Sequence, residues 1–290
     1  MLRILAIAFN WVFPFGGLRL ANISMRKGIV TRKIFGYTIF LPVQRSSAHK
    51  LLALEGRRFM HERNIVRKVI GRGDTVIDCG ANIGYYALLF SRIVGKEGEV
   101  VCLEPDSNNL AELYNNIESN KIENITIVEC AAGANDGETI LEPGLNAQVA
   151  PDELKGVAVK LYKIDTIVDN LRIKKVDFIK IDVEGYEGEV LRGMKKTILS
   201  CSPSILIEVH PGMIVDTSDL KSTLIRLYSH YGTCRIYDPL SGGFIQKIRR
   251  RVFGFVLGDS SCDFESYLDL VLNKKPRKPY FILFTQKQLG

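Results

Sequence analysis

The segment DTVIDCGANIG at 74–84 constrains this chain more than any other stretch. Thr75, Val76 and Ile77 form a short β-branched, apolar run that reads as a buried parallel strand, and Gly80 through Gly84 turns the chain into a helix starting near Tyr85. Such a turn is expected to aim backbone N–H groups at a ligand. A second apolar strand, EVVCL at 99–103, ends on Glu104, 24 residues after Gly80. In a doubly wound sheet that is where a carboxylate accepts hydrogen bonds from the ribose hydroxyls of a bound nucleoside.

Two ligand classes share this geometry, a dinucleotide and S-adenosylmethionine. Asp78 separates them, because at the strand tip, two residues before Gly80, its charge would oppose a pyrophosphate. S-adenosylmethionine carries an ammonium and a sulfonium and no phosphate, so an acidic strand tip favours it. The spacing Gly80-x-x-x-Gly84 also departs from G-x-G-x-x-G, whose middle glycine lets a pyrophosphate approach. An oxidoreductase that uses a dinucleotide is therefore the disfavoured reading.

Further strands are expected over 124–130, 176–182 and 203–209, with helices over 56–70, 84–94, 106–120 and 185–199. Asp106 after Pro105 is an N-cap signal. Alternating strands and helices predict an α/β, doubly wound, Rossmann-like sheet that is mostly parallel. The interval 133–165 breaks the rhythm and reads as a β-ribbon insertion beside the sheet, while 232–237 and 279–285 read as strands flanking a helix at 264–272. The chain is thus expected to comprise a basic, partly apolar, helical extension over 1–73 and a catalytic domain over 74–290.

Charge is distributed unevenly. Residues 1–73 carry 14 Lys/Arg against 2 acids, 74–238 carry 16 against 26, and 239–290 carry 9 against 4. Basic flanks point to an anionic partner, and Trp11, Phe13 and Phe15 in the apolar first 20 residues point to peripheral membrane contact through residues 1–30. Asn10, Pro14, Gly16 and Gly17 interrupt that run too often for a spanning helix. The runs at 249–251 and 274–278 lack interleaved aromatics, which argues against a nucleic-acid track. Six cysteines without a C-x-x-C pair read as buried thiols in a reducing, cytoplasmic setting.

A second constellation follows the strand at 176–182. Asp182 and Glu184 at its tip, with Glu208 and His210 after the next strand, are expected to reach the cleft that holds Asp78 and Gly80. Methyl transfer to a hydroxyl needs a group to take the proton as the oxygen attacks, and His210, Asp182 and Glu184 are the candidates. With a pKa near its ordinary value of about 6.5, His210 suits that role. No spacing is diagnostic of a metal, and none is assigned.

Taken together, VIDCGANIGYYALLFSR at 76–92, VVCLEPDSNNLAELYNNI at 100–117, CAAG at 130–133, KIDTIVDN at 163–170, VDFIKIDVEGYEGEVLRGM at 176–194 and ILIEVHP at 205–211 resemble the FkbM-type methyltransferases, a branch of the class I S-adenosylmethionine-dependent enzymes. The resemblance implies a seven-stranded sheet whose last two strands are an antiparallel pair, and O-methylation of a hydroxyl on a sugar, glycolipid or secondary metabolite. It assigns Asp78, Gly80, Asn82 and Gly84 to the methionine part of the cofactor and Glu104 to the ribose. Asp106, Asn108 and the backbone near Ala131 would border the adenine, and Asp182 and Glu184 would face the methyl group and acceptor. Methylation of RNA or protein, or a non-catalytic membrane-surface scaffold on the same fold, are the alternative readings.

Overall fold

The computed structural model describes residues 28–45, 49–50, 52–53, 60–142, 148–149, 156–214, 216–237, 264–273 and 279–287. In chain order these hold β1 (Ile29–Ile34), β2 (Tyr37–Pro42), α1 (Met60–Val69), β3 (Thr75–Cys79), α2 (Tyr85–Val94), β4 (Glu99–Leu103), α3 (Ser107–Glu118), β5 (Ile125–Val128), β6 (Ala131–Ala132), β7 (Gly137–Glu142), β8 (Gln148–Val149), β9 (Val157–Tyr162), α4 (Ile164–Asn170), β10 (Phe178–Ile181), α5 (Glu187–Arg192), α6 (Lys195–Cys201), β11 (Ser204–Val209), α7 (Thr217–Tyr231), β12 (Arg235–Tyr237), α8 (Phe264–Asn273) and β13 (Tyr280–Phe284).

Seven strands form one sheet in the order β12-β13-β11-β10-β3-β4-β5. Neighbours from β11 through β5 pair parallel, and β13 runs antiparallel between β11 and β12. This is the α/β, doubly wound, Rossmann-like architecture with an antiparallel last strand. Helices cover both faces, so the central strands are apolar on both sides. Ile77, Val101, Ile179 and Ile207 pack with α4–α8, while Val76, Val100, Phe178 and Leu206 pack with α1–α3. The strand order reverses between β3 and β10, which opens a crevice at their C-terminal tips. In a smaller four-stranded sheet, ordered β6-β9-β7-β8, the interval around 133–165 pairs back onto β6 beside that edge.

Two expectations need correction. The stretch 185–199 is not one helix but α5 and α6. A Cβ at Gly193 would overlap the Gly133 carbonyl oxygen, so only glycine fits where the two elements join, and Asp165 then caps α6 by accepting from the Lys196 and Thr197 N–H groups at 3.0 and 2.8 Å. Nor is the 1–73 segment simply helical. It contains the β1–β2 hairpin, closed at Phe35-Gly36 with φ values of 57° and 86°.

The hairpin is tied to the sheet domain. Ile34, Ile39 and Leu41 share a core with Ile83, Tyr85 and Leu88 at α2. The edge of β2 pairs with side-chain amides: Phe40 N–H donates to Asn116 Oδ1 at 2.7 Å, and Thr38 exchanges two hydrogen bonds with Asn120 at 2.8 and 2.7 Å. Two asparagines four residues apart thus replace a neighbouring strand. Residues 1–27 and the basic runs at 249–251 and 274–278 lie outside the described residues. Among the described residues, no helix is long and apolar enough to cross a membrane. The five described cysteines are free thiols, three of them buried.

Candidate active site

The crevice is a cavity lined on one side by Gly80, Asn82, Leu103, Glu104, Pro105 and Asn109, and on the other by Asp182, Val183, Glu184 and Tyr186. Cys130, Ala131, Ala132 and Leu141 close its end. The two sides meet at Gly80. With φ at +81°, a Cβ there would overlap the carbonyl oxygen of Asp182, so the turn after β3 rests on the backbone that follows β10.

The glycine turn does not aim its N–H groups at a ligand. Gly80 and Ala81 N–H both donate to Leu103 O at 3.0 and 3.1 Å, Gly84 N–H donates to Ala81 O at 2.9 Å, and Ile83 N–H donates to Asn82 Oδ1 at 2.8 Å. Asn82, itself at φ 51°, donates its N–H to Glu104 Oε2 at 2.7 Å. All five N–H groups from 80 to 84 are therefore used internally, contrary to the expectation that they face a ligand.

Glu104 is 3% exposed and anchors this arrangement. Its Oε1 accepts from Asp106 N–H at 3.0 Å and from Asn109 Nδ2 at 3.2 Å, while Oε2 takes Asn82 N–H. Burial pushes the carboxyl up to about 7, against the lowering effect of these donors. Oε2, which accepts only one of these bonds, keeps lone-pair capacity for a ligand hydroxyl. A turn without free donors and a carboxylate at the wall fit a phosphate-free nucleoside whose ribose offers two hydroxyls, which is the chemistry of S-adenosylmethionine.

Asp78 does not line the cavity. It is fully buried beneath the turn, neither oxygen has a hydrogen-bond partner, and Lys180 Nζ lies 3.9 Å from Oδ1. Desolvation raises its carboxyl to about 7, opposed by Lys180. It lies under the ligand turn, against the Lys180 ammonium, and does not reach the cavity. Gly84 and the Asp106–Asn108 pair also stand outside the lining residues. Gly84 packs toward Leu113, Asp106 Oδ1 caps α3 by accepting from Asn108 and Asn109 N–H, and Asn108 accepts from Arg45 through its backbone oxygen at 2.9 Å. Asn109 and Pro105 take the wall positions expected of Asp106 and Asn108.

At the opposite wall, carboxylates surround His210. Its Nδ1 donates to Glu187 Oε1 at 2.8 Å, and Nε2 lies 3.5 Å from Glu184, 3.7 Å from Glu208 and 3.8 Å from Asp182. Burial alone would lower the ring's pKa, but the Glu187 hydrogen bond and the other three carboxylates outweigh it and raise it to about 9. His210 is thus an imidazolium near neutral pH, and the base role expected of it does not suit that state. Glu184 is also raised, by desolvation that outweighs His210. Its backbone φ is 52°, a left-handed value that turns its side chain back toward the ring. Desolvation would raise Asp182 as well, yet Lys180 and His210 hold it below the usual carboxylate range.

Asp182, Glu208 and His210 bring one polar atom each within 4.8 Å of one another. Sequence reasoning passed over Asn109, Tyr186 and Glu187. Lys180, a lysine inside the apolar run of β10, carried the signal of an internally paired residue, and it is buried and paired with Asp78 and Asp182.

A Rossmann-like sheet with a phosphate-free nucleoside crevice at its switch point and acids facing it across the cleft is the arrangement of class I methyltransferases. Residues 78–232, more than half of the chain, match the model described as the methyltransferase FkbM domain, and the chain belongs to that family of S-adenosylmethionine-dependent methyltransferases. Among curated proteins it is similar to the hexuronic acid methyltransferase AglP of Haloferax volcanii, 26% identical over 170 residues that cover 56% of this chain and 67% of the relative. It is also similar to methyltransferase 1 of Beauveria bassiana, 22% identical over 46% of this chain and 64% of that one. A solved FkbM methyltransferase from Methylobacillus flagellatus is 22% identical with a TM-score of 0.42, covering 67% of this chain and 50% of its own. The chain thus spans between half and two thirds of the length of these relatives.

Proposed function

We propose that this chain transfers a methyl group from S-adenosylmethionine to a hydroxyl of a carbohydrate, as a free sugar, glycan or glycolipid. The observation that carries the reading is the pair of walls joined at Gly80 and Asp182: a nucleoside-shaped crevice with Glu104 at one end opens directly onto Asp182 and Glu184, with His210 Nε2 3.5 Å behind Glu184. The similarity to a hexuronic acid methyltransferase supports a sugar acceptor. Bound in the crevice, S-adenosylmethionine supplies an electrophilic methyl group on sulfur.

The chain's own residues do the rest. Glu104 accepts from the ribose, Asn82 and Gly80 shape the methionine end, and the backbone near Ala131 and Ala132 with Asn109 borders the base. Asp182, Glu184 and Glu208 are each about a fifth to a quarter exposed, so they present carboxylate oxygens to the hydroxyl groups of a polyol. Glu184, the carboxyl held above its ordinary pKa, accepts the proton that the attacking hydroxyl gives up. The His210 imidazolium stays charged, holds these acids in place and offsets their repulsion.

The test is incorporation of labelled methyl from S-adenosylmethionine into neutral glycan, polar-lipid and RNA fractions. Label in alkali-stable methyl ethers of sugars supports the reading. Label confined to RNA or protein, with none in carbohydrate, would overturn it.

A further inference from the structure

A cation lies between the two walls that no wall residue replaces. Lys180 is 2% exposed on β10, and its ammonium donates to Asp182 Oδ2 at 2.9 Å, lies 3.9 Å from Asp78 Oδ1 and stands over the Tyr86 ring with 4.7 Å to its centroid. We propose that Lys180 is a positioning residue for methyl transfer: it fixes the Asp182 carboxylate at the acceptor wall and compensates the buried Asp78 beneath the cofactor turn, so that both walls share one cation.

The argument starts from register. β3 and β10 pair parallel with Lys180 opposite Asp78, and alternation sends both side chains to the α2 face, where Tyr86 covers the Lys180 ammonium. Asp78 without Lys180 would be an unpaired buried carboxyl with no hydrogen bond, a costly arrangement. One donor bond to Asp182 and the aromatic face then leave the ammonium partnered on three sides. Asp182 is in turn faced by Lys180 on its own strand, Asp78 on β3, Glu208 at the tip of β11, His210 beyond it and Glu184 in the following turn. Of these only Lys180 and His210 are cationic, and of the two only Lys180 is within hydrogen-bond distance; Glu208 shares a further side-chain hydrogen bond with Asp182. Removing it leaves Asp182 among three acids with a single, more distant positive neighbour.

This inference rests on the methyltransferase reading for its consequence but not for its measurement. In Lys180→Met, and in Lys180→Met combined with Asp78→Asn, which removes both members of the buried pair and so guards against misfolding, Asp182 should titrate higher by about 1–3 pH units when its carboxyl carbon is followed by NMR. In the double variant S-adenosylhomocysteine should bind as in the parent by calorimetry, while turnover at saturating acceptor falls about 100-fold. An unmoved Asp182 titration in the folded double variant, or parental turnover, would overturn the proposal. Should the parent methylate no carbohydrate, the functional reading fails, and the Asp182 titration still decides the role of Lys180.

Discussion

His210 Nδ1 lies 2.8 Å from Oε1 of Glu187, a carboxyl with no solvent exposure. That bond makes the imidazolium part of the fold. A ring raised from 6.5 to about 9 contributes stability that is fully present below pH 6.5 and is lost as pH climbs through 9. The interval is worth about 3 kcal/mol. Asp78 and Glu104, raised to about 7, change over a lower window, and Cys79, Cys102, Cys130 and Cys234, whose buried thiols are raised above 9, cost stability only as pH approaches 9, so the loss between pH 7 and 8 belongs to His210. Urea unfolding across that range should show stability falling by about 1 kcal/mol, with the slope largely flattened in His210→Asn. A parent whose stability is constant from pH 7 to 8 contradicts the assignment.

Glu104 unites the glycine turn, the cap of α3 and the ribose position. Glu104→Ala should weaken S-adenosylhomocysteine binding by about 2–4 kcal/mol, a loss of about 30- to 1000-fold. Glu104→Gln should lose less, since its amide oxygen still accepts from Asn82 N–H. Calorimetry on both variants, with circular dichroism to confirm folding, decides it. Unchanged affinity in the alanine variant removes Glu104 from the ribose.

The acceptor wall predicts the reverse pattern. Glu184→Gln keeps the shape of the side chain and removes its basicity, so cofactor affinity should hold while kcat falls by about 10²–10⁴-fold. Asp182→Asn should also spare binding and slow transfer. Parental kcat in Glu184→Gln, at saturating acceptor, would move the proton to another group.

Much of this was legible in the sequence because the information is local or follows from strand order. Strands at 75–79, 99–103 and 204–209 announce themselves by apolar runs, and the switch point brings Gly80, Glu104, Asp182 and Glu184 to one cavity. What stayed hidden depends on distances across the fold. That Asp78 lies under the turn, and that the turn's N–H groups are consumed by Leu103 and Glu104, depends on how β4 presents its end to the loop. The hairpin at 29–42 was hidden because its edge is satisfied by Asn116 and Asn120, which are 76 and 82 residues away from their partners. Strand order placed Asp182, Glu184 and Glu208 beside His210, but the ring's charge state also depends on the buried Glu187 at the start of α5, whose contact with Nδ1 no spacing along the chain expresses.

The contact at Gly80 gives the sharpest steric prediction. A methyl group there meets the backbone oxygen of Asp182, which is fixed because Asp182 N–H donates to Cys79 O at 3.1 Å, and the positive φ adds strain of its own. Neither side can yield without separating β3 from β10 at their tips. Gly80→Ala should therefore lose both S-adenosylhomocysteine binding and several kcal/mol of unfolding free energy, on the order of 2–4. Gly73→Ala is the control: it also has positive φ, at 79°, but nothing lies within 4 Å of its Cβ position, so it carries only the backbone cost of about 1 kcal/mol. Urea unfolding and calorimetry on the pair separate strain from collision. If both variants lose equally little stability and both bind the cofactor product, the two walls are not in contact and the cleft is looser than drawn.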